Sequence, residues 1–259
     1  MVQNITFSIP AGGVRLDAAL LSQVPTSTKS FIRYAIQNGD ISVEGRCATK
    51  GMKLKAGQSV HIRQLLEAKD NTVRPDGKVK IKCIFEDDHI LAFDKEAGIP
   101  VQPLNCRETG TLMNGVVAKY PELANIGDQP LMAGALHRID ANTSGLVIAA
   151  KNQEAFNNLR EQFTRQSVEK TYLALVEGAV AFGGTLENDL VHMPGLGYCK
   201  MVDLRKGRLS ESERRALASK ALHAITSYTP VGRTCVGNEE RTLLEVTIYT
   251  GVTHQIRAQ

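Results

Sequence analysis

The chain has 259 residues, of which 42% are hydrophobic, and its formal net charge is +4. This composition is typical of a globular protein with one large and one small domain, and it argues against a disordered chain. No apolar run approaches the roughly 18 residues of a membrane span, and the first residues lack a basic segment followed by an apolar one, so we expect a cytoplasmic protein without a membrane partner.

The cysteines and histidines give no indication of a metal or disulfide site. The five cysteines are widely spaced without a CxxC pair, and the six histidines form no HExxH motif or other close pair. Zinc sites and disulfide frameworks need such spacings. We therefore expect no metal and no cofactor, so that any chemistry would come from ordinary side chains.

The first part of the chain is strongly basic. Between Lys29 and Arg63, seven basic residues stand against two acidic ones, a surplus larger than the net charge of the whole chain. Attraction for a polyanion would be concentrated in this segment, although a solvated basic face without a partner is the alternative. The candidate contacts are Lys29, Arg33, Arg46, Lys50, Lys53 and Lys55.

The same segment has the pattern of a helix followed by a hairpin. Ser27 or Thr28 can cap a helix that ends at Gly39. The buried face of this helix would be formed by Ile32, Ala35 and Ile36. Strands are predicted at residues 41–43 and around residues 60–62, with a glycine-containing turn after the first.

A change in composition then marks a domain boundary. Residues 67–80 are charged, poor in apolar residues and interrupted by Pro75 and Gly77, which predicts a linker. Short apolar runs follow at residues 83–85 and 90–93, separated by acidic residues. They predict two strands joined by a turn.

The second domain, residues 81–259, contains a polar loop in front of a short buried strand. The loop begins at His137 in the sequence HRIDANTSGLVIAAKN, and its apolar residues 146–148 predict the strand. Catalytic groups are often placed on such a rim, and Asp140 is the candidate. The alternative is that Asp140 only accepts hydrogen bonds from the backbone of its own turn.

The remaining pattern completes an α+β fold, with a mixed, mainly antiparallel domain after a small α/β domain. The residues after the polar loop predict a helix that is capped by Asn152 and carries Phe156, Leu159 and Phe163, and then a strand over 172–176. A charged excursion is predicted over 195–220, with a short helix near 211–219. A half-buried strand is predicted over 244–248.

Three segments resemble the signature motifs of the RluA-type pseudouridine synthases. HRIDANTSGLVIAAK resembles the family pattern HRLDxxTSGLLLxAK, and it contains Asp140. EKTYLALVEG resembles the second motif, with Tyr172 at its tyrosine position. GVTHQIRA resembles GRTHQIRxH, with Arg257 at its arginine position. The order and approximate spacing of the motifs also agree, and residues 13–66 resemble the S-four-like RNA-binding domain that often precedes this catalytic domain.

The resemblance implies an enzyme that isomerises uridine to pseudouridine in large-subunit ribosomal RNA or transfer RNA, without a cofactor. Asp140 would act on the sugar, either by attacking carbon 1 or by removing a proton from carbon 2 to give a glycal. Arg257 would pair with Asp140 and keep it ionised in a largely buried pocket. Tyr172 would stack on the uracil and assist proton removal at carbon 5; the alternative is an ordinary strand tyrosine.

The resemblance also implies substrate contacts. Arg138 would hold the rearranged RNA, although a phosphate contact or a salt bridge near Asp140 remains open. The other expected substrate-binding residues are Thr143, His254, Gln255 and Ile256. The six basic residues of the first domain would contact RNA, and His137 is left unassigned between a structural role in the loop and a ligand role.

Two departures from the family pattern favour an alternative. Val252 occupies an arginine position, and Gln259 stands where a histidine is expected. Because family members usually continue further, we expect a catalytic domain that is short at its C-terminus. The alternative function is that of an RNA-binding relative that is weakly active or inactive. A glycosidase is disfavoured, because no second acid is placed beside Asp140.

We expect the protein to be a monomer.

Overall fold

The protein is α+β, as the sequence predicts. In the computed structural model, all pairings between the strands given below are antiparallel. The chain divides into two compact units, Met1–Asn157 and Asn158–Gln259. The structure describes residues 1–193, 200–205, 209–237 and 239–259. The predicted domain limits, 13–66, 67–80 and 81–259, stay a prediction.

The first unit begins with a four-stranded sheet of strand order β1-β4-β2-β3 and two helices. The elements are β1 (Val2–Ser8), α1 (Leu16–Gln23), α2 (Lys29–Gln37), β2 (Ile41–Val43), β3 (Arg46–Cys47) and β4 (Ser59–Leu65). The predicted helix and hairpin are thus confirmed. Of the two candidate caps, Thr28 is the one used, because its hydroxyl accepts a hydrogen bond from the Phe31 amide.

Two elements of this segment are absent from the sequence prediction. α1 precedes the predicted helix, and β1 pairs with β4 along its length. Ile5 and Phe7 of β1 pack against the buried core of the segment. β1 alternates less clearly between apolar and polar residues, so its strand character comes from pairing with β4 rather than from its own pattern.

A three-stranded sheet of order β5-β6-β7 completes the first unit. Its elements are β5 (Cys83–Glu86), β6 (Ile90–Lys95), α3 (Leu112–Lys119) and β7 (Gly145–Ala150), with short 3-10 helices at Ala68–Asp70 and Pro121–Asn125. The three strands were predicted and are confirmed. The predicted linker is held in place, since Val73 is buried and the Asn114 amide donates to the Arg74 carbonyl at 2.6 Å.

The second unit is built on a five-stranded sheet of order β10-β9-β11-β12-β8. Its elements, together with the helix that leads into it, are α4 (Gln153–Thr164), β8 (Lys170–Glu177), β9 (Gly184–Met193), β10 (Lys200–Asp203), α5 (Glu211–Ala218), β11 (Leu222–Val236), β12 (Glu239–Ile248) and α6 (Gln255–Ala258). The predicted cap of α4 is confirmed by the Asn152 side chain, which accepts from the Ala155 amide at 2.8 Å.

The other predictions for this unit are also confirmed where the structure describes them. β8 covers the predicted strand, β12 buries one face as its alternation predicts, and α5 is the predicted charged helix. Residues 195–199 and 206–208 of the predicted excursion lie outside the described residues. Among the helices that the structure describes, none is long and apolar enough to cross a membrane.

A buried lysine ties the loop of Asp140 to the end of β6. Lys95 is 0% exposed, and its ammonium donates to the carbonyl oxygens of Glu96, Ile99 and Ala141 at 2.9, 2.8 and 2.9 Å. The Gly98 amide also donates to the Ala141 carbonyl at 2.8 Å. Burial lowers the pKa of Lys95, while the negative charge of Asp140 acts in the opposite direction. Three charge-assisted hydrogen bonds offset the desolvation of the ammonium.

Replacing Lys95 by methionine should therefore destabilise the fold. The change removes the lysine donor shared by the Glu96, Ile99 and Ala141 carbonyl oxygens, and we expect a loss of about 2 kcal/mol or more in the free energy of unfolding. The matched control is Lys82→Met in the same hairpin, where a 70% exposed lysine pairs with Asp94 and the expected loss is below about 1 kcal/mol. Urea unfolding measures both variants, and equal small losses would contradict the role given to Lys95.

Candidate active site

Asp140 lies half-buried in the loop between Ile139 and β7. Its carbonyl oxygen accepts a hydrogen bond from the Thr143 amide at 3.0 Å, which closes the loop into a turn. The next carbonyl, that of Ala141, is held by the Lys95 ammonium. Two successive carbonyl groups, those of Asp140 and Ala141, are therefore held in place, which limits the movement of the Asp140 carboxylate.

The residues before Asp140 have different environments. His137 is half-buried, and its Nε2 accepts a hydrogen bond from the Ile148 amide of β7 at 3.2 Å. Of the two roles left open for His137, this bond supports the structural one, and it requires the tautomer with an unprotonated Nε2. Arg138 is exposed. Arg138 and Thr143 thus lie beside Asp140 in the same loop.

Tyr172 lies in the second unit, on the edge strand β8. It is half-buried opposite Val246 of β12, and it packs against the cluster of Leu244, Val246 and Ile248. Ile256 of α6 packs against the same cluster. The second unit therefore brings Tyr172 and the helix that carries Arg257 onto one apolar surface.

The third motif forms a tight turn and a single helical turn. His254, half-buried, has a left-handed backbone (φ 54°) and precedes α6, on which Arg257 is exposed. Gln255 is 3% exposed, and its side-chain amide is hydrogen bonded within the unit. The burial of Gln255 favours a structural role, and substrate contact by His254, Gln255 and Ile256 stays a prediction.

Val252, which replaces an arginine of the family pattern, has a packing role. It lies partly buried against the cluster of Leu190, Met201 and Ala224. An apolar side chain at this position adds buried surface to the unit, so the substitution is compatible with an intact local fold.

The six predicted RNA-contact residues, Lys29, Arg33, Arg46, Lys50, Lys53 and Lys55, are all exposed. Over residues 1–193, which are described without gaps, no salt bridge is observed for any of them. Arg63 of the same segment differs, because it pairs with the buried carboxylate of Asp40 at 2.6 Å. Burial acts to raise the pKa of Asp40, but hydrogen bonds from Asn38, Arg63 and Gln64 outweigh it and lower that pKa.

Sequence reasoning missed Lys95, and for Gln255 it predicted substrate contact but not the structural role. Lys95 reads as an ordinary charged residue after an apolar strand, and only its complete burial shows its function. The structural role of Gln255 depends on Ile225 and Thr226 of β11, which are 30 and 29 positions away in the sequence. Among the described residues, no group of three or more His, Cys, Asp or Glu side chains is placed to hold a metal ion.

Comparison with known proteins identifies the family. The sequence model described as RNA pseudouridylate synthase matches residues 89–259. Ribosomal large subunit pseudouridine synthase D of Xanthomonas campestris pv. campestris is 32% identical over 247 residues, which cover 95% of this chain and 67% of that protein. The protein of the same name from Pseudomonas aeruginosa is 30% identical over 246 residues, which cover 95% of this chain and 69% of that protein.

A solved structure supports the fold. Human RNA Pseudouridylate Synthase Domain Containing 1 aligns with a TM-score of 0.54 at 18% identity, over 72% of this chain and 66% of that chain. The family match extends over the loop of Asp140, over β8 with Tyr172 and over α6 with Arg257. The chain belongs to the RNA pseudouridylate synthase family.

Proposed function

We propose that this protein isomerises specific uridines of structured RNA to pseudouridine, with Asp140 as the catalytic carboxylate. The observation that supports this most strongly is the family match over residues 89–259, which contains all three motif segments. The names of the two bacterial relatives make large-subunit ribosomal RNA the first candidate substrate, with transfer RNA as the second. We further propose a monomer that works in the cytoplasm.

The reaction needs a carboxylate at a fixed position. The bond between ribose carbon 1 and the uracil nitrogen breaks, the uracil turns, and a bond to its carbon 5 forms. Asp140 either attacks carbon 1 or takes a proton from carbon 2, and both routes require its ionised form. Lys95, by holding the Ala141 carbonyl, limits the movement of the loop from which Asp140 acts.

The remaining roles follow the family resemblance. By this resemblance, Arg257 has a catalytic role that supports the carboxylate chemistry of Asp140. Tyr172 stacks on the uracil and assists removal of the carbon 5 proton. The half-buried position of Tyr172 is compatible with such stacking. The target uridine flips out of its stack, at a cost of a few kcal/mol, and Arg138 helps to hold the opened RNA.

The basic segment between Lys29 and Arg63 binds the RNA. Lys29 and Arg33 lie on α2, Arg46 on β3, and Lys50, Lys53 and Lys55 between β3 and β4. Because these cations are exposed and outside the salt bridges observed over residues 1–193, each can neutralise a phosphate without first breaking an internal pair. Arg63 is excluded from this role by its bond to the buried Asp40.

Asp140→Asn should abolish the isomerisation. On RNA labelled with tritium at carbon 5 of uridine, the wild-type protein should release tritium, and the variant should be slower by roughly 10³-fold or more. Asp88→Asn, a change of the same kind at an exposed turn residue, should leave the release unchanged. If the wild type gave only the background of Asp140→Asn, the protein would be an RNA-binding relative without this activity.

The exposed basic residues of the first unit should control RNA affinity. The test is the triple variant Lys29→Ala, Arg33→Ala, Arg46→Ala. The plot of the logarithm of the association constant against the logarithm of salt concentration has a negative slope, and in this variant the slope should become shallower by roughly 0.7–0.9 for each phosphate that is no longer neutralised. Filter binding with structured ribosomal RNA at several salt concentrations measures this slope.

The matched control removes three basic residues that already form ion pairs. Arg15 pairs with Asp17, Lys69 with Glu67 and Lys82 with Asp94. The triple variant Arg15→Ala, Lys69→Ala, Lys82→Ala should keep a slope close to that of the wild type. The same decrease in both triple variants would mean that the basic face attracts RNA only through overall charge.

A further inference from the structure

The side chain of Gln255 makes four hydrogen bonds in the interior of the second unit. Its Nε2 donates to the Ile225 carbonyl at 3.0 Å and to the Thr226 hydroxyl at 2.9 Å. Its Oε1 accepts from the Thr250 hydroxyl at 2.8 Å and from the Val252 amide at 3.1 Å. Both donors and both acceptor positions of the amide are therefore used inside the protein.

The partners of Gln255 fix which way its amide points. The Val252 amide can only donate, so it must face the oxygen, and the Ile225 carbonyl can only accept, so it must face the nitrogen. Thr250 closes the arrangement, because its hydroxyl donates to Gln255 and accepts from the Ile225 amide at 3.1 Å. Gln255 thus links β11 to the turn that enters α6.

This link matters because α6 has little stability of its own. The helix has four residues, Gln255–Ala258, which is one turn, and so short a helix does not form without tertiary contacts. Successive residues of a helix are about 100° apart, so Gln255 and Arg257 project to nearly opposite sides. Gln255 is buried while Arg257 is exposed, as this geometry requires.

We propose that Gln255 is a positioning residue that sets the direction of Arg257, and that it does not contact the substrate. The proposal rests on the catalytic role of Arg257 proposed above. The amide holds the first residue of α6 against β11, and the opposite face of the same turn presents the guanidinium. A change of about 1 Å in a catalytic group can cost roughly 10²-fold in rate.

Gln255→Glu tests this directly. The side chain keeps its shape, but the two donors of the amide become at most the single O–H of a protonated carboxyl, so either the Ile225 carbonyl or the Thr226 hydroxyl loses its donor. We expect kcat to fall roughly 10²-fold with KM changed less than about threefold, in a protein whose circular dichroism spectrum is that of the wild type. A rise in KM with an unchanged kcat would mean substrate contact and would overturn the proposal, as would wild-type kinetics in the folded variant.

A second variant decides the question if Gln255→Glu does not fold. Thr226→Val keeps the shape of the side chain and removes one acceptor of the Gln255 amide, so it should lower kcat several-fold without raising KM. Thr185→Val, the control in the same sheet, removes an exposed hydroxyl that bonds to Ser227 and should be neutral. Wild-type kcat in Thr226→Val, or equal effects in the two variants, would overturn the proposal.

A double-mutant cycle shows whether Gln255 acts through Arg257. If it does, Gln255→Glu should cost much less in an Arg257→Lys background than in the wild type, because the two changes damage one function. If the loss of kcat in the double variant were the product of the two single losses, the proposal would be overturned. The failure of the proposed function is a separate result: it would appear as wild-type tritium release no higher than background, or as undiminished release by Asp140→Asn, and not as any particular effect of Gln255→Glu.

Discussion

The burial of the Lys95 ammonium under three carbonyl oxygens is the interaction on which the Asp140 loop depends. A loop rich in small polar residues does not hold one conformation by its own propensity, because its backbone groups are equally well satisfied by water. The ammonium replaces that water with fixed donors, and it does so at the residue next to the carboxylate. The loop can therefore be polar in sequence and still be rigid where the chemistry is proposed to occur.

In the second unit, a neutral side chain holds the backbone in place instead of a charged one. Gln255 holds a single helical turn through four hydrogen bonds, while apolar contacts of Ile256 and Val252 fill the space around it. In both units a buried polar side chain fixes backbone atoms. Lys95 holds the carbonyl of Ala141, the residue next to Asp140, and Gln255 lies two positions before Arg257. Satisfied buried networks of this kind specify one conformation more sharply than apolar packing alone.

The sequence was sufficient to predict those helices and strands whose own residues show a cap or an alternation of apolar and polar side chains. The cap at Thr28, the cap at Asn152 and the alternation in β12 are properties of short stretches, and the structure confirms them. β1 could not be predicted in this way, since its pairing with β4 joins residues about sixty positions apart. The structural roles of Lys95 and Gln255 were not predicted, because each side chain has a partner that only the tertiary fold brings close, Ala141 for Lys95 and Ile225 for Gln255, and because both residue types are ordinary at the surface.

The central claim is that Asp140 makes this protein an isomerase of particular uridines in RNA. Its most direct test is a pseudouridine profile of ribosomal and transfer RNA from cells whose only copy of the protein is either the wild type or Asp140→Asn. We predict that one or a few uridines, in large-subunit ribosomal RNA first, are modified with the wild type and unmodified with the variant. Identical profiles in the two strains would contradict this claim.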